Sequence, residues 1–365
     1  MKNNYITGID GLRAIAALIV LLFHFQSLSG YQPPIFPWFF ETGWIGVDIF
    51  FTISGFLLFL QFAKAHNEKK KVDYRKYFKR RFLRILPAYY LNLFVLLTLF
   101  HISFLVKVEN LDDLFQHLFF LQGFFIDSAK INGVLWTLCL EIQFYILLPF
   151  IYRFFVGNKW IFSLIIMIIV ATVYKVYMIN LTDGIEDHTV RQFYLRQLPS
   201  VIHQFGIGMA AASIFVNRQY QGSSNNRFSM WSGYLGILLI LFMMWFVSDI
   251  GGTAYWKGHN LLGYLPLLTL SGFVSLGAVL VIWSLCNSEN LLSKFFSTRI
   301  MVFLGATSYG IYLWHLPIGN ALLRNIKYTA ETKFVLLIMI GTALSIAWAA
   351  LSFYFVEKSF LKKKD

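Results

Sequence analysis

The chain has 365 residues, of which 58% are hydrophobic and only 13% are charged, and its mean hydropathy is +0.62. Soluble domains carry about twice that share of charge, so the composition excludes an ordinary soluble protein and indicates an integral membrane protein. The formal net charge of +13 also suits a nucleic-acid-binding protein, but in a membrane protein it is typical of basic cytoplasmic loops. We therefore expect membrane lipids as partners and no nucleic acid.

The two cysteines, Cys139 and Cys286, both fall within apolar segments. We interpret them as small core residues, and we expect neither a disulfide nor a metal site. The N-terminal apolar run lacks a small-residue cleavage site, so we interpret it as a retained helix and not as a signal peptide.

Apolar runs of membrane-spanning length recur along the whole chain, which predicts an all-α polytopic membrane helix bundle. The ten predicted spans are roughly 11–28, 44–63, 86–106, 134–155, 160–180, 198–216, 230–248, 262–286, 301–325 and 334–356. A further apolar stretch, 113–127, is short, and it is either an eleventh span or a re-entrant or interfacial helix. No soluble domain is expected beside this single transmembrane domain of residues 1–365.

Loop charge predicts the orientation of the spans. Residues 64–84 contain ten lysines or arginines, which indicates a cytoplasmic loop. If 113–127 does not cross the membrane, the later basic clusters also fall on the cytoplasmic side, and both termini are cytoplasmic. The external segments are then 29–43, 107–133, 181–197, 249–261 and 326–333.

Two ionisable residues of the first span, Arg13 and His24, are eleven positions apart. Eleven residues make three helical turns plus about 20°, so both side chains lie on one face, roughly 16 Å apart along the axis. An ionisable side chain at the centre of a membrane costs about 2.5–3.5 kcal/mol, which favours a functional role for the pair. The alternative is that Arg13 only marks the cytoplasmic end and His24 only meets the outer headgroups.

The second span is rich in small residues from Gly43 to Gly55 and includes Ser54. Such residues permit either ordinary close helix packing or an unwound turn that lines a cavity. Asp48 lies near the outer end of this span, where water is able to solvate it.

A basic group precedes the third span, with Arg80 and Arg84 four positions apart and Arg81 three positions before Arg84. This pattern suits binding of anionic lipid headgroups, and it equally suits docking of the phosphates of a nucleotide-bearing thioester.

The fourth span carries Glu141, with Tyr145 one turn further along. A buried carboxylate needs a partner, and a carboxylate that orients an imidazole is a common acid–base arrangement, so His24 is the first candidate. The alternative is a structural ion pair with Arg13 or with another helix. In the ninth span, Ser308, Tyr312 and His315 share one face, and His315 is either a structural or a reactive histidine.

Five ordered motifs and a closing one extend over nearly the whole chain. They are Arg-x10-His, Gly-x-x-Gly-Val-Asp-x-Phe-Phe-x-x-Ser-Gly, Arg-x-x-Arg-Ile-x-Pro, Trp-Thr-Leu-x-x-Glu-x-x-Phe-Tyr, Ser-Tyr-x-Ile-Tyr-Leu-x-His-x-Pro and Phe-Val-Glu-Lys. Each motif is weak alone, but the ordered series resembles the acyltransferase-3 family of membrane acyltransferases. One departure is that Ser359 stands where the closing motif of the family often has proline, which affects only where the last helix ends.

The resemblance implies about ten helices in the bacterial cytoplasmic membrane and transfer of an acetyl group from cytoplasmic acetyl-CoA. The acceptor would be a hydroxyl of a cell-surface glycan or glycolipid. Some relatives carry an extracytoplasmic hydrolase-like domain, which we do not find in this chain. The chain would therefore acylate its acceptor directly or pass the group to a separate extracytoplasmic partner.

Roles follow from the resemblance residue by residue. It implies that His24 and Arg13 are the essential pair and that Arg81 and Arg84 match the second arginine motif. We expect His24, Glu141 and Arg13 to be catalytic. The residues expected to hold acetyl-CoA are Arg13, Arg81, Arg84, Ser54, Tyr145, Ser308, Tyr309 and His315. A transporter or flippase of a glycan intermediate is the alternative, since it too explains intramembrane charges.

Overall fold

The computed structural model describes residues 6–99, 110–126, 131–185, 187–221, 226–249, 261–324 and 327–362, and their regular secondary structure is entirely helical. Parts of the predicted spans and external segments lie outside the described residues, namely 100–109, 127–130, 186, 250–260 and 325–326. So do Lys363 and Lys364, which belong to the last basic cluster of the chain. The described helices confirm the all-α class.

The helices follow one another along the chain with short connections. They are α1 Thr7–Ser29, α2 Pro37–Glu41, α3 Gly46–Asn67 (preceded by a 3-10 turn, Gly43–Ile45), α4 Tyr74–Leu99, α5 Leu111–Leu118 (followed by a 3-10 turn, Gln122–Phe124), α6 Trp136–Ile151 (extended by a 3-10 turn, Tyr152–Phe154), α7 Trp160–Leu181, α8 His188–Leu195, α9 Leu198–Tyr220, α10 Asn226–Asp249, α11 Leu261–Asn287, α12 Leu291–Phe296, α13 Arg299–Ala306, α14 Ser308–Leu323, α15 Ala330–Leu336, α16 Thr342–Ser352 and α17 Lys358–Lys362. Two π turns, Leu337–Gly341 and Phe353–Glu357, join the last three helices into one rod.

Nine helices of the described chain are long and apolar enough to cross a membrane. The protein is therefore a multi-pass membrane protein. The predicted span 301–325 differs from the others because it consists of two shorter helices, α13 and α14, that meet at Thr307. At this junction a Cβ atom on Gly305 would lie 2.0 Å from the backbone oxygen of Asp10, so only glycine permits this approach.

The chain divides into two compact units. Unit 1 contains residues 1–20, 34–72 and 147–305, and unit 2 contains 21–33, 73–146 and 306–365. In unit 1, α9 is the most buried of the long helices and packs against α3, α7 and α11. In unit 2, α14 packs against α4 and α16.

Helices α3 and α9 run parallel in unit 1. The Phe51 and Phe205 ring centroids are 4.9 Å apart, and Asn67 donates a hydrogen bond to Asn217 at 3.2 Å. Residue numbers therefore increase in the same direction along both helices. Parallel spans require an odd number of crossings between them. The long helices α4, α6 and α7 supply three, so the segment 113–127 is not needed as a span.

The segment 113–127 begins within α5, which has eight residues and is about 12 Å long, too short to cross a membrane. It packs against the middle of α4. The Tyr89 hydroxyl donates to the backbone oxygen of His117 at 2.7 Å, and Gln122 donates to the Tyr89 hydroxyl at 3.1 Å. These contacts favour a re-entrant or interfacial helix over an eleventh span.

Candidate active site

The two histidines singled out in the first and ninth spans meet in unit 2. His24 Nδ1 lies 3.0 Å from His315 Nε2, and the ring centroids are 5.0 Å apart. His315 is completely buried and His24 is half-buried. The His24 ring is therefore turned toward α14.

Backbone chemistry fixes the tautomers of this pair when both rings are neutral. His315 Nδ1 lies 3.0 Å from the backbone oxygen of Ile311, and a carbonyl oxygen only accepts, so Nδ1 carries the proton. His315 Nε2 is then the acceptor, and His24 Nδ1 donates to it. The remaining lone pair of His24 consequently lies on Nε2, where an imidazole acts as a base or nucleophile.

Close packing holds the C-terminal part of α1 against α14. The Phe25 side chain is fully buried, and Cβ atoms added at Gly319 and Gly341 would lie 3.0 Å from its ring carbons. Glycine at these two positions thus leaves room for a phenyl ring next to His24. The Phe25 and His315 ring centroids are 6.4 Å apart, so this packing holds α1 beside α14 at the level of the histidine pair.

Proline residues inside two helices free backbone oxygens for further polar contacts in unit 2. Pro317 has no N–H group, so the Leu313 backbone oxygen one turn earlier loses its helical donor. This oxygen instead accepts hydrogen bonds from the side chains of Asn92 at 3.3 Å and Asn132 at 3.0 Å. The amides therefore fasten α14 to α4 and to the segment before α6, at a position two residues before His315.

Pro149 has the same effect in α6. It frees the backbone oxygen of Tyr145, which accepts a hydrogen bond from the Tyr77 hydroxyl at 3.1 Å. Tyr77 lies in the basic first turns of α4, so Tyr145 is placed at the level of those turns.

Glu141 and Tyr145 are joined by a side-chain hydrogen bond, and Arg81 lies within electrostatic reach of Tyr145. Glu141 is thus grouped with Tyr145 and Arg81 in unit 2. That Glu141 orients His24 stays a prediction.

Arg81 and Arg84 lie on α4 and are both half-buried. Arg81 Nε and Arg84 Nη2 are buried atoms with no hydrogen-bond partner in the described part of the chain. Buried guanidinium donors without acceptors are costly, and an anionic group would satisfy them. The donor set therefore fits the phosphates of a nucleotide-bearing molecule.

Three more residues singled out by the sequence analysis, Ser308, Tyr309 and Tyr312, lie on α14 in unit 2. Tyr309 is buried and donates a hydrogen bond to the backbone oxygen of Ile85 at 3.0 Å, and Ser308 is fully buried beside it. Tyr312 lies further along the same helix, where its hydroxyl is 3.0 Å from that of Thr137. The order along α4 is therefore Tyr77, Arg81, then Ile85 with Tyr309, then Asn92 with Leu313.

The remaining two predicted residues belong to unit 1. Arg13 lies on α1 and forms an ion pair with Asp10, at 3.9 Å between Nη1 and Oδ1. Ser54 lies on α3 and is half-buried. Their roles toward acetyl-CoA stay predictions.

The sequence analysis missed a group of buried ionisable residues in unit 1. Asp48, for which solvation by water was one expectation, is only 7% exposed, and Lys175 and His203 are buried beside it. The sequence did contain a sign of this group, because Lys175 and His203 are ionisable residues inside the apolar spans 160–180 and 198–216.

No three histidine, cysteine, aspartate or glutamate side chains gather into a possible metal-binding group within the ranges that the structure describes.

Comparison with known proteins identifies the group to which the chain belongs. The family model described as an acyltransferase domain, that of acyltransferase-3, matches residues 6–354. This chain belongs to the acyltransferase-3 family.

Curated relatives of this acyltransferase-3 protein match over nearly its full length. YrhL of Bacillus subtilis strain 168, provisionally named as a peptidoglycan O-acetyltransferase, is 29% identical over 98% of this chain and 55% of its own. The peptidoglycan O-acetyltransferase OatA of Listeria monocytogenes is 27% identical over 98% of this chain and 56% of its own. A provisionally named O-acetyltransferase of Staphylococcus aureus strain COL is 26% identical over 99% and 58%.

This acyltransferase-3 chain spans somewhat more than half the length of the curated relatives that it matches. No solved structure matches it at a significant level.

Proposed function

We propose that this protein is a membrane O-acyltransferase that moves an acetyl group from acetyl-CoA to a hydroxyl of an extracytoplasmic glycan of the peptidoglycan class. The observation that carries the proposal is the hydrogen bond from His24 to His315, which leaves the His24 lone pair on Nε2. Family membership and the names of the relatives support acyl transfer and a cell-wall acceptor.

The chemical step uses His24 as a general base. His24 Nε2 takes the proton of the acceptor hydroxyl while the hydroxyl oxygen attacks the thioester carbonyl carbon. The carbon–sulfur bond then breaks, the CoA thiolate leaves, and it takes the proton back from His24. A thioester is a higher-energy acyl donor than an oxygen ester, so the transfer needs no other energy source.

His315 acts through His24 and not on the substrate. Its Nε2 accepts from His24 Nδ1, which fixes the ring orientation and disperses the positive charge that forms when Nε2 is protonated. The Ile311 backbone oxygen in turn fixes His315. This chain of acceptors is the imidazole counterpart of a carboxylate behind a catalytic histidine.

The donor phosphates bind at the basic end of α4. Arg81 and Arg84 supply buried guanidinium groups whose Nε and Nη2 atoms have no acceptor within the described residues. The lysines and arginines of residues 64–84 support a cytoplasmic position for this end by the positive-inside rule, and acetyl-CoA is a cytoplasmic metabolite. Tyr145 lies beside this basic end, and Tyr309 and Ser308 lie further along α4. We assign these three residues to the donor arm and to the developing oxyanion.

The experiment that tests the proposal uses purified full-length protein in lipid nanodiscs. Given acetyl-CoA and a peptidoglycan fragment, the protein should release free CoA thiol and acetylate the fragment, as followed by thiol titration and mass spectrometry. His24→Ala and Arg13→Ala, inserted normally, should each lose this activity. Near-wild-type transfer by either variant contradicts the assigned roles, and glycan movement without thiol release favours a transporter.

A further inference from the structure

A polar cluster is buried in unit 1 where four helices meet. Lys175 of α7 donates a hydrogen bond to the Ser271 hydroxyl of α11 at 3.2 Å, and the same hydroxyl lies 2.9 Å from His203 Nε2 of α9. Asp48 of α3 is hydrogen-bonded by the side chain of Gln204 and attracted by Lys175. All five side chains are at least nine-tenths buried.

Tight helix packing creates this cluster. A Cβ atom on Gly208 would lie 2.2 Å from the backbone oxygen of Thr52, so α3 and α9 approach each other at glycine. Asp48 lies four residues, about one turn, before Thr52, and Gln204 lies four residues before Gly208. The close approach of the two helices therefore brings the carboxylate and the amide together.

Four buried oxygen atoms of the cluster and its flanking turns have no hydrogen-bond partner within the residues that the structure describes. They are Asp48 Oδ2, Gln204 Oε1, Ser200 Oγ and Ser275 Oγ. Ser200 lies one turn before Gln204 on α9, and Ser275 lies one turn after Ser271 on α11. Both hydroxyls therefore lie on the same helix faces as the cluster residues. A purely structural ion pair would be expected to satisfy its polar atoms, since each unsatisfied buried one costs stability.

The chemistry of the unsatisfied atoms indicates what would bind. The carboxylate and amide oxygens accept only, so they require a ligand that donates through O–H or N–H groups. The opposite charges of Asp48 and Lys175 cancel, which disfavours a ligand with a net charge of either sign. A neutral group that bears hydroxyl and amide N–H donors satisfies both conditions.

Position along the helices indicates the side of entry. Asp48 is the third residue of α3, Gln204 the seventh of α9, and Lys175 lies six residues before the end of α7. These positions are at the end of α3 opposite the basic loop 64–84. By the positive-inside rule this is the extracytoplasmic end.

We propose that the cluster of Asp48, Lys175, His203, Gln204 and Ser271 is a binding site for a neutral, hydroxyl-bearing sugar group of the N-acetylhexosamine class. This inference rests on the proposed function, because it assigns the site to the acceptor glycan. Asp48 and Gln204 accept the donors of the sugar, and the Lys175 ammonium donates to an adjacent sugar oxygen.

The test measures sugar binding directly, with no acyl donor present. Full-length protein in nanodiscs is titrated calorimetrically with a soluble oligosaccharide of N-acetylglucosamine. The wild type should bind saturably, and the double variant Asp48→Asn/Lys175→Met should bind at least about tenfold more weakly, because hydrogen bonds to charged groups are lost. The double change avoids an unpaired buried charge.

Two further variants make the titration decisive. Gln204→Met keeps the side-chain volume and removes the amide, so it should also bind the sugar more weakly. It provides the test if the double variant fails to insert. Lys159→Met removes an exposed lysine at the start of α7 and should bind as the wild type does. Absence of saturable wild-type binding, or equal binding by Gln204→Met and the wild type, overturns the proposal and leaves internal water as the partner of these atoms.

The failure of this inference is distinguishable from failure of the proposed function. If CoA thiol release depends on His24 but the sugar titration shows no binding, only the inference fails. If the oligosaccharide binds through the cluster and no acyl transfer occurs, only the proposed function fails.

Discussion

His24 donates a hydrogen bond from Nδ1 to Nε2 of His315 over 3.0 Å, so two helices that are almost 300 residues apart in the chain share one imidazole pair. The direction of this bond follows from the Ile311 carbonyl behind His315. Under the proposed function, His24 is the catalytic base and His315 is its positioning residue, and a set of substitutions tests the two roles separately.

We expect His315→Leu to lower acetyl transfer by about 10–100-fold, the effect of losing one hydrogen bond to a group that becomes charged. His315→Gln should retain more activity because its amide oxygen is able to accept from His24 Nδ1. His24→Ala should lose about 10²–10⁴-fold. Rates of CoA thiol release at saturating acetyl-CoA measure these losses.

The matched control for these substitutions is His66→Gln, an exposed histidine on α3. It should transfer acetyl groups as the wild type does. Equal rates for His315→Leu and His315→Gln would contradict the positioning role, and so would an unchanged pH profile in His315→Leu.

The buried donors of α4 predict an effect on acetyl-CoA binding. Arg81→Ala and Arg84→Ala should each raise the KM for acetyl-CoA by about tenfold or more, since each removes a charge-assisted hydrogen bond to phosphate. Lys79→Ala removes an exposed charge from the same helix and should change KM little. Initial rates against acetyl-CoA concentration give the comparison. A change in kcat alone in the arginine variants would place them at the chemical step instead.

The approach of α3 and α9 predicts a steric effect on stability. In Gly208→Ala the new methyl group would lie 2.2 Å from the Thr52 backbone oxygen, so the helices must separate, at a cost of about 1–3 kcal/mol. In Gly272→Ala the nearest atom is His203 Cδ2 at 3.9 Å, an ordinary contact, and stability should change little. Thermal unfolding in detergent measures both. Equal melting temperatures would show that the helices are not closely packed here.

His117 predicts a loss of stability in acid. Burial lowers the pKa of His117 below its ordinary value, against an opposing contribution from Asp113. The unfolded chain then binds more protons than the native protein below about pH 6.5, so the stabilisation is complete above that pH and declines as the pH falls. His117→Gln should reduce this decline, whereas the exposed His66→Gln should not. Unfolding temperatures between neutral and mildly acidic pH report the difference, and parallel curves for all three proteins contradict it.

Membrane orientation is tested by labelling single cysteines in a variant that lacks Cys139 and Cys286. A cysteine at Lys69 should react only from the cytoplasmic side, because the basic loop 64–84 remains there. A cysteine at Gly184 should react from the opposite side, because α7 crosses between the two ends. Labelling of both positions from one side would require an additional crossing, such as the segment 113–127.

The sequence by itself determined the membrane class, the number of spans within one or two, and the family, because hydropathy and ordered motifs are properties of the linear chain. It also singled out His24, His315 and the arginines of α4, since ionisable side chains in apolar runs are costly and therefore conspicuous. It did not pair His24 with His315. The carboxylate of Glu141 was the expected partner because a charge needs a counter-charge, and no spacing in the sequence tells which helices touch.

Only the tertiary structure decided those contacts. Pro317 and Pro149 free backbone oxygens for Asn92, Asn132 and Tyr77, and these bonds form only once distant helices meet. The burial of Asp48 beside Lys175 likewise depends on the approach of α3 and α9 at glycine. Local sequence specifies which helices form and which of their faces are polar. The partner of each polar group is set by packing, because side-chain contacts between helices depend on their separation, direction and rotation together.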